Sequence, residues 1–101
     1  MALGAALQDA GYEVELAASG VEALDKLRWG LRPCVILLDL QMPGMNGWDF
    51  RAEQKRTPAL EAIPIVAMTA GLFRKQDLEE FFECITKPID LKALEAMLRR
   101  C

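Results

Sequence analysis

Three residues of different chemistry each follow an apolar run. Asp39 closes CVILLD and opens LQMPGMNG, Thr69 closes IVAMT, and Lys87 follows CIT and precedes a proline. A carboxylate acts as a nucleophile toward a phosphoryl donor, giving an acyl phosphate. The charge that develops on the transferred group asks for donors, and a hydroxyl and an ammonium supply them. The backbone N–H groups of Leu40, Gln41 and Ala70 are candidate additional donors. Pro43 and Gly44 shape a sharp turn after Asp39, and Gly47 permits close approach or starts a helix. Lys87-Pro88 is a candidate cis peptide that would fix the lysine's direction. Alone, each residue also has a plain structural role: Asp39 as a turn former, Thr69 as a helix cap, Lys87 as a solvated charge.

The elements that must position these residues alternate along the chain. Met1–Ala10 places Leu3, Leu7 and Ala10 on one helical face, and Gly11 stops it. Tyr12–Ala18 alternates as a short strand, with Val14 and Leu16 opposite Glu13 and Glu15. Ser19-Gly-Val-Glu22 is a capping box for a helix that turns Val21, Leu24 and Leu27 inward and ends near Gly30. Cys34–Leu38 is a continuously apolar strand of the kind buried on both faces of a parallel sheet. Gly47 to about Arg56 reads as a helix that Thr57-Pro58 breaks. Ile63–Met68 is a strand, Arg74–Phe82 a short helix, Cys84–Thr86 a strand. Asp90 caps a final helix with Leu91, Leu94 and Leu98 inward and Arg99 and Arg100 at its C-terminal dipole. Alternation of this kind predicts an α/β fold with a parallel sheet, helices on both faces and four strands. Asp39, Thr69 and Lys87 then share the carboxyl rim, where such sheets bind ligands.

The bulk numbers narrow the classes. The 101 residues fit one domain, spanning 1–101. A formal charge of -3 lacks the basic excess of a nucleic-acid surface, and no apolar run is long enough for a membrane span. No secretory leader is evident, and Cys34, Cys84 and Cys101 read as reduced thiols, so a cytoplasmic protein is expected. The absence of histidine removes His-based catalysis and His metal ligands. A signalling module is expected, not an enzyme. Trp29, Trp48 and Phe50 read as packing residues, Phe73, Phe81 and Phe82 as one helix face, and Glu79, Glu80 and Glu83 as a solvated face.

This constellation resembles the receiver domain of two-component response regulators, carried by Asp39 within LLDLQMPGMNG, Thr69 within AMTA thirty residues on, and Lys87-Pro88. The resemblance covers essentially the whole chain. It implies a flavodoxin-like doubly wound sheet, phosphoryl transfer from a sensor kinase's phosphohistidine to Asp39, and contacts from Thr69, Ala70 and Lys87. It also implies a magnesium ion on Asp39 and the Gln41 carbonyl, and a histidine kinase or output domain as partner.

Against the family pattern, no acidic pair precedes Leu3, and the strand that carries it is missing. The resemblance therefore implies a truncated receiver whose first, central strand is absent. With one carboxylate and one lysine at the rim, Asp39 and Lys87 are expected to pair, and magnesium binding and Asp39 phosphorylation to be weak or lost. Cys84 stands where the family carries a switch aromatic. Without the central strand, either Tyr12–Ala18 closes directly on Cys34–Leu38 or a second chain covers that edge; a homodimer is the expected outcome. Two alternatives are a fully functional phosphoacceptor and a purely structural dimerisation domain.

Overall fold

The computed structural model describes residues 3–41, 44–71 and 73–99. In chain order it contains α1 (Leu3–Asp9), α2 (Gly20–Arg28), β1 (Ile36–Asp39), α3 (Gly47–Lys55), α4 (Pro58–Glu61), β2 (Ile65–Thr69), a 3-10 turn (Lys75–Leu78), β3 (Glu83–Thr86) and α5 (Leu91–Leu98). The strands form one parallel sheet in the order β1-β2-β3, with Ile36 opposite Ile65 and Val66 opposite Glu83.

Side chains alternate across this sheet, so each strand feeds two cores. Ile36, Leu38, Ile65, Ala67 and Cys84 pack with Leu24, Leu27, Phe50 and Leu60 from α2, α3 and α4. Val35, Leu37, Val66, Met68 and Ile85 pack on the other face with Leu7 of α1 and Leu94 of α5. Both faces of β1 and β2 are thus covered by helices, which explains their unbroken apolar sequences.

The helix ends follow their sequence signals. Ser19 Oγ accepts from the Glu22 N–H at 3.1 Å, and the Glu22 carboxylate accepts from Ala18 N–H at 3.1 Å. At the other end of α2, Gly30 takes φ +117°. Its N–H reaches Leu27 O, and Leu31 N–H reaches Lys26 O, closing a Schellman motif. Asn46 caps α3 and Asp90 caps α5 through their side-chain oxygens.

Four expectations are corrected. The sheet has three strands, not four: Tyr12–Ala18 forms no ladder. Alternation gives a segment two faces, but a strand exists only where a neighbour's backbone meets it, and direct closure on β1 does not occur. Instead Tyr12 N–H bonds to Leu7 O, and Lys26 Nζ holds Leu16 O at 2.5 Å and Glu15 at 3.6 Å, pinning the segment to α2. Val21 is exposed because the buried stripe of α2 runs through Gly20, Leu24 and Leu27. Arg74–Phe82 contains only the 3-10 turn, and Phe73, Phe81 and Phe82 share no helix face. Trp29 is 90 % exposed at the α2 C-cap and belongs to neither core. Pro58, expected to break α3, also starts the one-turn helix α4 at its N1 position. Arg100 and Cys101 lie outside the described residues.

Candidate functional site

The register brings the three polar residues to one rim. Asp39 is the last residue of β1 and lies opposite Met68; Thr69 ends β2 opposite Thr86, and Lys87 follows directly. Two backbone bonds prolong the ladders past the strand ends: Leu40 N–H to Met68 O at 3.0 Å and Lys87 N–H to Thr69 O at 2.8 Å. The side chains therefore stand on anchored backbone and not on free loops.

Lys87 Nζ donates to Asp39 Oδ2 at 2.5 Å, with each side chain about one-third exposed. The expected ion pair is present. Gln41 N–H donates to the other oxygen, Oδ1, at 2.9 Å. Partial burial pushes the Asp39 carboxyl upward, but the Lys87 bond, the Gln41 amide and the lysine's charge outweigh it and hold the group below its ordinary value. Thr69 is 3 % exposed, and its Oγ accepts from Gly71 N–H at 3.0 Å.

The expected amide donors divide. Leu40 N–H is used by the sheet, Gln41 N–H is used by Asp39 itself, and Ala70 is exposed beside Thr69 with its N–H taken by no described group. Gly44 has φ +81°, as the turn requires, and Lys87-Pro88 is cis. Pro43 lies outside the described residues. At Gly47 a Cβ would stand 2.3 Å from Leu40 Cδ2 and 3.4 Å from Leu40 Cα, so glycine lets the first turn of α3 press against the residue after Asp39.

Among the described residues no three His, Cys, Asp or Glu side chains gather as a metal site. The one rim carboxylate already has an ammonium on one oxygen and an amide on the other, and Mg²⁺ asks for near-octahedral oxygen ligation. Chemically, the rim offers a nucleophilic oxygen with a cation bonded to it, and a buried hydroxyl at the end of the strand between them.

Two structural residues escape the reading of motifs. Gln54 is fully buried on α3, donating to Leu60 O at 2.8 Å and Ile63 O at 2.9 Å and accepting from Arg51 at 2.7 Å. Its spacing of four from Phe50, on the inward stripe, was the available signal. Met45 packs against Gly20, where a Cβ would meet its sulfur at 2.9 Å, tying the loop after Asp39 to the start of α2. No sequence pattern marks that contact. Among the described residues, no helix is long and apolar enough to cross a membrane.

Comparison with known proteins places this geometry. The chain is 33 % identical over 100 residues to the aerobic respiration control sensor protein ArcB of Escherichia coli, covering 93 % of this chain and 12 % of that protein. The chain thus spans a small part of that relative's length. The structure of chemotaxis protein CheY4 from Vibrio cholerae matches with a TM-score of 0.86 at 33 % identity, over 97 % of this chain and 84 % of that one. The receiver domain of sensor histidine kinase PA1611 from Pseudomonas aeruginosa, with a magnesium ion coordinated in its active-site cleft, matches with a TM-score of 0.84 at 27 % identity, over 95 % and 81 %. The response regulator receiver domain model matches residues 1–99, and with the parallel sheet, the two-sided helices and the Asp39–Thr69–Lys87 rim, the chain belongs to that receiver domain family.

Proposed function

We propose that this chain is a cytoplasmic two-component signalling module that acts through protein partners, with Asp39 as a phosphoacceptor that works poorly in these residues alone. The observation that carries the reading is the Lys87–Asp39 bond at 2.5 Å, with no group of three His, Cys, Asp or Glu side chains among the described residues that could hold a metal. In transfer from a phosphohistidine, an Asp39 oxygen attacks phosphorus, the N–P bond breaks, and the imidazole leaves with the electron pair and takes a proton. Lys87 is placed to balance the phosphoryl charge, and Thr69 and the Ala70 N–H to donate to its oxygens. The same lysine neutralises the carboxylate that a divalent ion needs, so magnesium binding is weak. The module turns over no substrate of its own, and its partners are a sensor histidine kinase or an output domain.

Phosphoramidate labelling of Asp39, followed by intact mass with and without magnesium, tests this. Slow labelling with little magnesium dependence is the expected result. Rapid, magnesium-dependent labelling favours instead the fully competent phosphoacceptor, a reading supported by the intact rim and by the magnesium in the PA1611 receiver.

The proposal includes a homodimer that covers the outer edge of β1. Ile36 and Leu40 N–H point to β2, so the N–H of Leu37 points the other way, toward no described strand. Sedimentation should show a concentration-dependent dimer, and amide exchange at Leu37 should slow as it forms. A monomer at all micromolar concentrations removes this part.

A further inference from the structure

We propose that Leu40 is a positioning residue for Asp39: its side chain, wedged between the core and Gly47, sets the turn that aims the carboxylate. Asp39 Oδ1 accepts from Gln41 N–H at 2.9 Å, so the chain folds back around Leu40, the residue between them. Gln41 is itself exposed, and the direction of its N–H is decided by the backbone at Leu40. That backbone is held twice. Leu40 N–H donates to Met68 O at 3.0 Å, and the side chain is 2 % exposed in the core that includes Leu24 and Phe50. The first turn of α3 closes on the same side chain. A Cβ at Gly47 would stand 2.3 Å from Leu40 Cδ2 and 3.4 Å from Leu40 Cα.

The consequence lies in the plane of the carboxylate. Lys87 Nζ holds Oδ2 and Gln41 N–H holds Oδ1, each from a different part of the rim. With both bonds made, the group does not turn about its Cβ–Cγ bond. With Lys87 alone, one oxygen is held and the plane is free. An attacking oxygen must meet phosphorus in line, and a small misplacement is enough to cost rate. Leu40 acts through the Gln41 amide and not through contact with a phosphoryl group. The bearing on phosphoryl transfer rests on Asp39 as phosphoacceptor; the turn itself is testable without it.

The test measures amide exchange at Gln41 and phosphoramidate labelling of Asp39 in Leu40→Ala, Leu40→Met and Leu27→Ala proteins. Leu27 is 3 % exposed in the same core but sits on α2, so its truncation reports the cost of lost packing alone. Leu40→Ala should speed Gln41 exchange roughly tenfold, the loss of one hydrogen bond to a charged group, and slow labelling by about the same factor. Leu40→Met refills the space and should restore both, and Leu27→Ala should move neither. Leu40→Val, which keeps part of the side chain, gives a smaller change in the same direction if circular dichroism finds the alanine protein unfolded. Gly47→Ala should also speed Gln41 exchange by displacing Leu40. Combined with Leu40→Ala it should give less than the sum of the two, because the new methyl takes the space that Cδ2 leaves. If Leu27→Ala speeds Gln41 exchange as much as Leu40→Ala, or if the Gly47→Ala and Leu40→Ala effects add, the proposal is refuted. Failure of the unmutated protein to label strikes the reading of Asp39 as phosphoacceptor and leaves Gln41 exchange to decide the role of Leu40.

Discussion

The Lys87–Asp39 pair can be dissected by a double-mutant cycle of Asp39→Ala and Lys87→Met. At 2.5 Å, two unit charges attract by about 1.7 kcal/mol at the dielectric of water and by about 7 kcal/mol at an effective value of 20. Both side chains are 35 % exposed, which pulls the result toward the lower figure. Desolvation and the ordering of two side chains subtract further, leaving a coupling of about 1 kcal/mol. Urea denaturation of the four proteins at pH 7 measures it. The pH dependence follows from the sign of the shift: the folded Asp39 sits below its ordinary value, so its contribution is whole above the unfolded pKa of about 3.9 and is lost as pH falls through the folded value. The cycle repeated in acid should therefore lose its coupling while the lysine remains charged. Single-mutant effects that add to within about 0.3 kcal/mol at pH 7 would refute the reasoning, because additivity of that quality belongs to groups that do not interact.

If that pair is what repels a divalent ion, Lys87→Met should tighten magnesium binding by roughly fivefold, the equivalent of about 1 kcal/mol, in an equilibrium titration followed by Trp48 fluorescence; unchanged or weaker binding would contradict it. Gln54→Ala leaves the Ile63 carbonyl without its Gln54 donor, while Leu60 O keeps the Ile63 N–H, and should cost about 1–3 kcal/mol in urea unfolding, a large part of the stability of a domain this size. Gly47→Ala places a methyl against Leu40, itself 2 % exposed and without room to retreat, and should cost about 1–3 kcal/mol by the same measurement while lowering Asp39 labelling.

Much of the site was legible because its signals are local. An apolar run that ends in Asp39 and turns at Gly44, Thr69 at the end of IVAMT, and Lys87 before a proline each state where a strand stops, and parallel topology then puts the stops on one rim. Ser19, Asn46 and Asp90 sit at helix starts because their oxygens accept from the first free N–H groups. The failures are non-local. Tyr12–Ala18 carries a strand's alternation, but a ladder needs a second backbone, and side chains of α2 hold the segment instead. Val21 shows the reverse problem, an apolar residue one step off the buried stripe. Leu40 N–H was available as a donor in the sequence, and the register gave it to Met68 O. The Trp48–Phe73 contact joins the first turn of α3 to a residue 25 positions on, which no pattern of spacing encodes.

The placement of Asp39 has a further consequence for how such a rim is held. Among the described residues β1 is a sheet edge, yet side chains on both its faces pack into a core, Leu38 buried and Ile36 and Leu37 half-buried. All lateral support for Asp39 therefore comes from one side: the β2 ladder through Leu40, and the ammonium of Lys87 beyond it. The loop beyond Asp39 is steadied by Met45 against Gly20, which links the carboxylate's surroundings to α2 and, through Lys26, to the unpaired Glu15–Leu16 stretch. A chain that adds its backbone to the free edge of β1 thus meets the strand that presents the carboxylate, on the side opposite Lys87. Edge pairing and the Lys87 bond would then act on the same four-residue strand.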